Sequence, residues 1–225
     1  MVRFMATLLL ALAASSAFAG NPRVEMQTNA GKIVVELYPD KAPKTVENFL
    51  HYVKNGFYEG TVFHRVVKNF MVQGGAFDKG LEWRKPATEP IPNEAKNGLA
   101  NELGTLAMAR DRDPNSATTQ FFINLESNKH LNHHRDHPDY YGHCVFGKII
   151  EGMDVMQLIA ARPTGASGPF SAYVPLEPIV IEKVAILSEE IEPIPVKSKS
   201  KFKSKPKGKT HGKTENQPRR NLAGS

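Results

Sequence analysis

Phe63-His64-Arg65-Val66-Val67-Lys68-Asn69-Phe70-Met71-Val72-Gln73-Gly74-Gly75 is the stretch whose reading decides the fold. Two runs rich in β-branched and aromatic residues, Thr61 to Val67 and Phe70 to Gln73, flank the polar pair Lys68-Asn69, which is the pattern of a β-hairpin. Strand alternation then places Phe63, Arg65 and Val67 on one face and Val62, His64 and Val66 on the other, so Arg65 is expected on an otherwise apolar face. A guanidinium cannot be neutralised and is costly to leave unpaired away from water. It must pair with a buried carboxylate or line an open cleft, and the residues alone leave both open.

Upstream, Val24 to Thr28 and Ile33 to Leu37 flank Asn29-Ala30-Gly31, a second hairpin signal. Pro43 sits where helices begin, and Val46, Phe49, Leu50 and Val53 recur at helical spacing until Asn55-Gly56, with His51 off the stripe and solvated. Downstream, Phe77 to Leu103 is dense in Pro, Gly and charge and reads as a long surface loop, with Trp83 expected to pin it down. Thr105 to Ala109, Gln120 to Asn124, His143 to Ile149 and Ile179 to Leu187 read as strands, Met153 to Ile159 as a second helix, and Pro163 to Pro175 as a turn-rich segment. Many short strands, two helices and no βαβ alternation predict a mainly β domain, a closed antiparallel barrel or a sandwich.

The chain has 225 residues, 40% of them hydrophobic, enough for one domain with extensions. Residues 1–19 combine a positive start at Arg3, an apolar run from Phe4 to Ala14, and small residues at Ala17 and Ala19, the pattern of a signal peptide cleaved before Gly20. The run is too short to span a bilayer, so export without an anchor is expected, to the periplasm or onward into the medium. Residues 20–190 then form the folded domain and residues 191–225 a lysine-rich disordered tail. Val196 to Ser225 holds ten Lys and Arg against one Glu, a net of +9, so a chain of formal charge +6 leaves −3 on residues 1–195. The alternating lysines of the tail suit envelope polyanions or nucleic acid, or serve only solubility. Cys144 is the only cysteine, so no intrachain disulfide is possible, and its apolar neighbours predict a buried, inert thiol.

Met108-Ala109-Arg110, Gln120-Phe121-Phe122-Ile123-Asn124 and His143-Cys144-Val145-Phe146-Gly147 follow the central stretch in order. Together these segments resemble the cyclophilins, the cyclosporin-binding peptidyl-prolyl cis-trans isomerases, over roughly Val24 to Leu187. Pro92-Asn93-Glu94-Ala95, Asn97-Gly98-Leu99 and Gly104 to Arg110 look most like the bacterial cell-envelope branch. The resemblance implies a closed eight-stranded antiparallel β-barrel capped by two α-helices.

It also implies a reaction. An X-Pro bond turns slowly because amide resonance imposes a barrier of about 18 to 20 kcal/mol, although its isomers differ by only about 0.5 to 1 kcal/mol. A catalyst needs no nucleophile, metal or cofactor; it must favour the twisted amide over both planar forms. In the resemblance Arg65 matches the catalytic arginine, Gln73 its polar neighbour, and Phe70, Met71, Phe122 and Leu131 the walls of the proline pocket. Gln120 matches a polar groove residue, Ala109 and Arg110 the strand whose backbone pairs with an extended peptide, and His143 the rim histidine. The implied partners are proline-containing polypeptides, bound by a monomer that assists the folding of exported proteins.

Two departures stand out. Arg110 occupies a position held by Asn in the best-known members, and His130 one held by Trp in eukaryotic members, so cyclosporin binding is expected to be weak. The density of His130, His133, His134, His137 and His143 beside Asp136 and Asp139 raises a metal site as an alternative, although the spacing fits no standard zinc or copper set and no cysteine joins it. A catalytically idle module that only docks proline segments is the other alternative.

Overall fold

The computed structural model describes residues 20–188; the leader read in residues 1–19 and the tail read in residues 191–225 lie outside them. The upstream hairpin forms as β1 (Arg23–Thr28) and β2 (Gly31–Leu37), with Val24 opposite Val35 and Met26 opposite Ile33. All four side chains are buried. The central hairpin forms as β3 (Arg65–Val67) and β4 (Met71–Gly74), with Arg65 opposite Gln73. Its turn puts Asn69 at φ 58°, a conformation that Asn tolerates better than most residues. β5 (Thr105–Met108), β6 (Phe121–Asn124), β7 (Val145–Glu151), β8 (Thr164–Ser167), β9 (Phe170–Pro175) and β10 (Ile181–Ser188) complete the strands.

Eight strands make one antiparallel sheet in the order β10-β1-β2-β7-β5-β6-β4-β3. The expectation of a closed barrel is corrected here. β3 and β10 are the two ends of an open, strongly curled sheet, a half-barrel whose ends share no ladder. Among the described residues the gap is crossed by the Val62–Val180 bridge and its neighbours, where Gly60 N donates to Ile181 O at 2.7 Å and Ile181 N to Thr61 O at 2.8 Å. Regular pairing is interrupted at Phe63-His64, and β3 is only three residues long. The same break spoils the expected alternation. Phe63 turns into the core with Val66, while Arg65 and Val67 stay half-exposed.

The segment Pro163 to Pro175, expected as turns, is a hairpin, with β8 and β9 pairing as a separate two-stranded sheet. β9 packs against β3 and covers part of what would be a bare sheet edge. The concave side of the large sheet is filled by Phe49, Phe121, Phe146 and Tyr58, whose ring centroids lie 5.2 to 5.6 Å apart in contacting pairs. Phe49 comes from helix α1 (Pro43–Lys54), which buries the predicted stripe of Val46, Phe49, Leu50 and Val53 and leaves His51 exposed. Ala42 has no side chain with which to cap this helix. The carboxylate of Glu94 does so from the long loop, accepting from Lys44 N at 3.1 Å and Thr45 N at 2.8 Å. Helix α2 (Met153–Ala160) buries Met156 and Ile159.

The 77–103 loop has no strand of its own beyond isolated bridges. Trp83 does not pin it, since its side chain is 57% exposed. Arg84 does, donating to Phe57 O at 2.7 Å and Glu59 O at 2.8 Å. Among the described residues no helix is long and apolar enough to cross a membrane.

Candidate active site

Alternation along the central strands creates two faces, and the second face carries the site. Val72, Leu106, Met108, Phe121, Ile123 and Phe146 point into the main core. Their neighbours Met71, Ala107, Phe122 and Val145 form a smaller apolar cluster on the opposite, convex face, bordered by Phe70, Leu99, Ala109 and Leu131. Each strand thus feeds a core on one side and a surface hollow on the other.

That hollow is a cavity of about 280 Å³ lined by Arg65, Phe70, Met71, Gln73, Ala109, Arg110, Phe122, Leu131 and His143. Nine of the eleven residues proposed from the sequence therefore meet in one place. The other two sit one step away. Gln120 donates nothing to the cavity wall but accepts from Gln73 Nε2 at 2.9 Å, and His130 stacks on Phe70 with centroids 5.7 Å apart and planes at 19°.

The two fates open to Arg65 are now separable. Among the described residues no carboxylate lies within ion-pair distance of it, and its guanidinium Nη1 donates instead to the amide oxygen of Gln73 at 3.3 Å. Gln73 in turn is held by Gln120. The charge is oriented by a neutral amide relay and left uncompensated beside an apolar floor. Such a charge is available to a ligand.

His143 stands at the rim, its ring edge-on to Phe122 at 5.4 Å. Its Nδ1 lies 3.0 Å from Met108 O, and because a carbonyl can only accept, Nδ1 carries the proton and Nε2 is left as an acceptor. Burial lowers its pKa below the usual histidine value, and the charges of Arg110 and His130 push the same way while the bond to Met108 opposes them. It is therefore neutral at pH 7.

Arg110 has a side-chain role that the sequence reading did not include. β5 stops at Met108, so Ala109 and Arg110 lie beyond the strand, and Ala109 N is already taken by Gln120 O at 3.0 Å. The Arg110 side chain turns to the histidine-rich segment, donating to Gly142 O at 2.9 Å, Pro138 O at 3.0 Å, Asp111 O at 2.8 Å and Arg112 O at 3.3 Å. One fork thus ties the loop before β7 to the end of β5. A second, wider cavity of about 500 Å³ shares Gln73, Ala109 and Arg110 with the first and continues past Gln120 and Ser116 to Trp83.

The histidines do not converge. His133 Nδ1 meets Tyr141 O at 2.9 Å, His130 stacks on Phe70, and His143 faces the cavity. Among the described residues no three His, Cys, Asp or Glu side chains form a group able to hold a metal ion. Cys144 is buried as expected, and burial pushes its thiol pKa up to about 12.

Three residues escaped the sequence reading. Asn101, Asn124 and Asn128 lie behind the cavity, buried and hydrogen-bonded to one another. The available signal was Asn124, a poor strand former closing the apolar run Phe121-Phe122-Ile123.

Comparison with known proteins gives the family. Residues 23–186 match the family model described as cyclophilin type peptidyl-prolyl cis-trans isomerase/CLD. A peptidyl-prolyl cis-trans isomerase of Streptomyces antibioticus is 51% identical over 164 residues, covering 73% of this chain and 98% of that protein. Peptidyl-prolyl cis-trans isomerase B of Escherichia coli (strain K12) is 49% identical, covering 72% of this chain and 98% of the relative. Among solved structures, a cyclophilin type isomerase of Cryptosporidium parvum, crystallised in the presence of the dipeptide Ala-Pro, superposes with TM-score 0.62 at 29% identity, over 74% of this chain and 99% of its own.

Proposed function

The chain belongs to the cyclophilin type peptidyl-prolyl cis-trans isomerases and is an enzyme of that activity; from this premise we propose that Arg65 drives the isomerisation by stabilising the twisted prolyl amide. The observation that carries the reading is the pairing of an acid-free guanidinium, set by Gln73, with the apolar hollow of Phe70, Met71, Phe122 and Leu131.

The chemistry follows from that pairing. The hollow grips the pyrrolidine ring and leaves the acyl side free to turn. As the C–N bond rotates, resonance is lost and the nitrogen lone pair becomes basic. A positive N–H donor then interacts more strongly with the twisted amide than with either planar isomer, which lowers the barrier in both directions. Gln73 and Gln120 hold the guanidinium so that little reorganisation is needed at that moment. No bond is broken and no proton is transferred.

The crystallisation of the Cryptosporidium parvum relative in the presence of Ala-Pro supports proline-containing peptides as substrates here. The leader pattern supports an exported enzyme of the periplasm or the medium that assists the folding of exported proteins, and the lysine-rich tail supports contact with envelope polyanions. With His130 in place of an indole, cyclosporin binds weakly.

The test is a proline-peptide isomerisation assay on the full chain and on Arg65→Ala and Arg65→Lys. Loss of one preorganised donor of this kind costs about 10² to 10³ in kcat/KM. Arg65→Lys recovers only part, because an ammonium lacks the planar fork that engages Gln73 and the amide together. Undiminished activity in Arg65→Ala overturns the mechanism.

A further inference from the structure

We propose that Asn101, Asn124 and Asn128 are positioning residues that hold the walls of the proline cavity in register, an inference that rests on that cavity being where proline is gripped. None of the three lines the cavity, and each is 0 to 1% exposed. Their side chains run in one direction. Asn128 Nδ2 donates to Phe70 O at 2.9 Å and to Asn124 Oδ1 at 2.8 Å. Asn124 Nδ2 donates to Asn101 Oδ1 at 3.2 Å and to Thr105 Oγ1 at 2.9 Å. Asn101 Nδ2 donates to Leu131 O and to Asn132 Oδ1, each at 3.1 Å, and lies 3.4 Å from His143 O.

Three of the carbonyls that this relay reaches, those of Phe70, Leu131 and His143, belong to cavity residues from separate parts of the chain. Phe70 sits in the β3–β4 turn, Leu131 in a short 3-10 turn at Lys129–Leu131, and His143 in the segment entering β7. No shared strand sets their spacing. Backbone bonds brace the relay, since Asn128 N donates to Asn101 O at 2.8 Å and His143 N to Leu131 O at 2.9 Å. An apolar trio of equal volume would fill the same space but would bond to none of these carbonyls. A side-chain amide, with donors and an acceptor in one plane, can receive a bond from one neighbour and pass one to the next. In so dry a place each broken link leaves a polar group unsatisfied, so the relay favours one arrangement of the walls over nearby ones.

The test compares full-length Asn128→Ala and Asn101→Ser with Val24→Ala, a core truncation on β1 outside the relay. All are assayed on an Ala-Pro tetrapeptide anilide at a temperature where circular dichroism shows each folded. Asn101→Ser keeps an acceptor for Asn124 but is too short to reach Leu131 O, so it carries the test if Asn128→Ala does not fold. Both relay variants are expected to raise KM about tenfold with kcat changed less than about threefold, while Val24→Ala leaves both near the parent values. Relay variants within about twofold of the parent KM, or an equal rise in Val24→Ala, overturn the inference. Phe122→Ala separates the two layers of the argument. A raised KM there with unmoved relay variants removes only the relay, whereas an unmoved KM in Phe122→Ala removes the cavity reading and the inference with it.

Discussion

Arg65 shows how little a single side chain needs in order to be chemically available. Its one hydrogen bond among the described residues goes to a neutral amide, so its charge is aimed without being cancelled. Gln73 therefore matters through Arg65. Gln73→Ala removes both the acceptor for Arg65 and the link to Gln120 but leaves the charge in place. Its kcat/KM is expected to fall about tenfold, less than for Arg65→Ala, and a stopped-flow isomerisation assay on the two variants side by side decides the order. Cys144 makes the opposite case. It is buried, its thiol pKa is pushed up to about 12 by burial, and Thr45 Oγ1 lies 3.5 Å from its sulfur. A disulfide reagent at pH 8 should modify it only as fast as the chain unfolds, so rapid labelling of native protein would refute this assignment.

The segment before β7 is fastened rather than packed, and Arg110 is its fastener. Arg110→Ala removes donors to four carbonyls, and Arg110→Lys cannot replace a fork that reaches Gly142 and Pro138 at once. Both variants should show faster hydrogen exchange at His134 and His143, whose amides bond to Tyr140 O and Leu131 O, with exchange in β1 and β2 unchanged. Uniform loss of protection would mean global destabilisation instead. Gly142 adds a covalent reason for the shape of this segment. It sits at φ 80°, and a Cβ there would lie 2.5 Å from backbone atoms of Asn132 and His133. At this scale the sequence was readable where period and partner are local. The stripe of α1, the β1–β2 hairpin and the turn at Asn69 all follow from nearest neighbours. The β8–β9 hairpin was missed because Gly and Ser dilute its alternation, and its place against β3 depends on residues about a hundred positions away. The role of Arg110 was missed for a like reason. Its acceptors are carbonyls, which leave no mark in a sequence.

For the whole molecule the informative place is the open side of the sheet, where the barrel expected from the resemblance fails to close. His64 lies there, 2% exposed, its ring between Phe77 at 4.7 Å and Phe170 of β9 at 5.3 Å, and its Nδ1 has no hydrogen-bond partner among the described residues. Burial lowers its pKa to about 4; the Val62 carbonyl opposes the shift and the Arg65 charge adds to it. The sign of the consequence is fixed by linkage. An unfolded chain takes up this proton near pH 6.5 and the folded one only near pH 4, so stability is undiminished above about pH 6.5 and falls as pH drops through that window. By pH 4.5 the loss from His64 alone is about 2 to 3 kcal/mol. His143, also lowered by burial, contributes with the same sign, whereas the carboxyl of Asp136, held down by Lys96, matters only at more acid pH. Urea unfolding at pH 7.0 and 4.5 should therefore show a smaller difference for His64→Gln than for the parent, because glutamine cannot be charged. The hairpin packed over His64 should loosen first, since protonation would place a second cation next to Arg65 with no acid to meet it. If parent and variant lose the same stability between the two pH values, the acid response does not originate at this histidine.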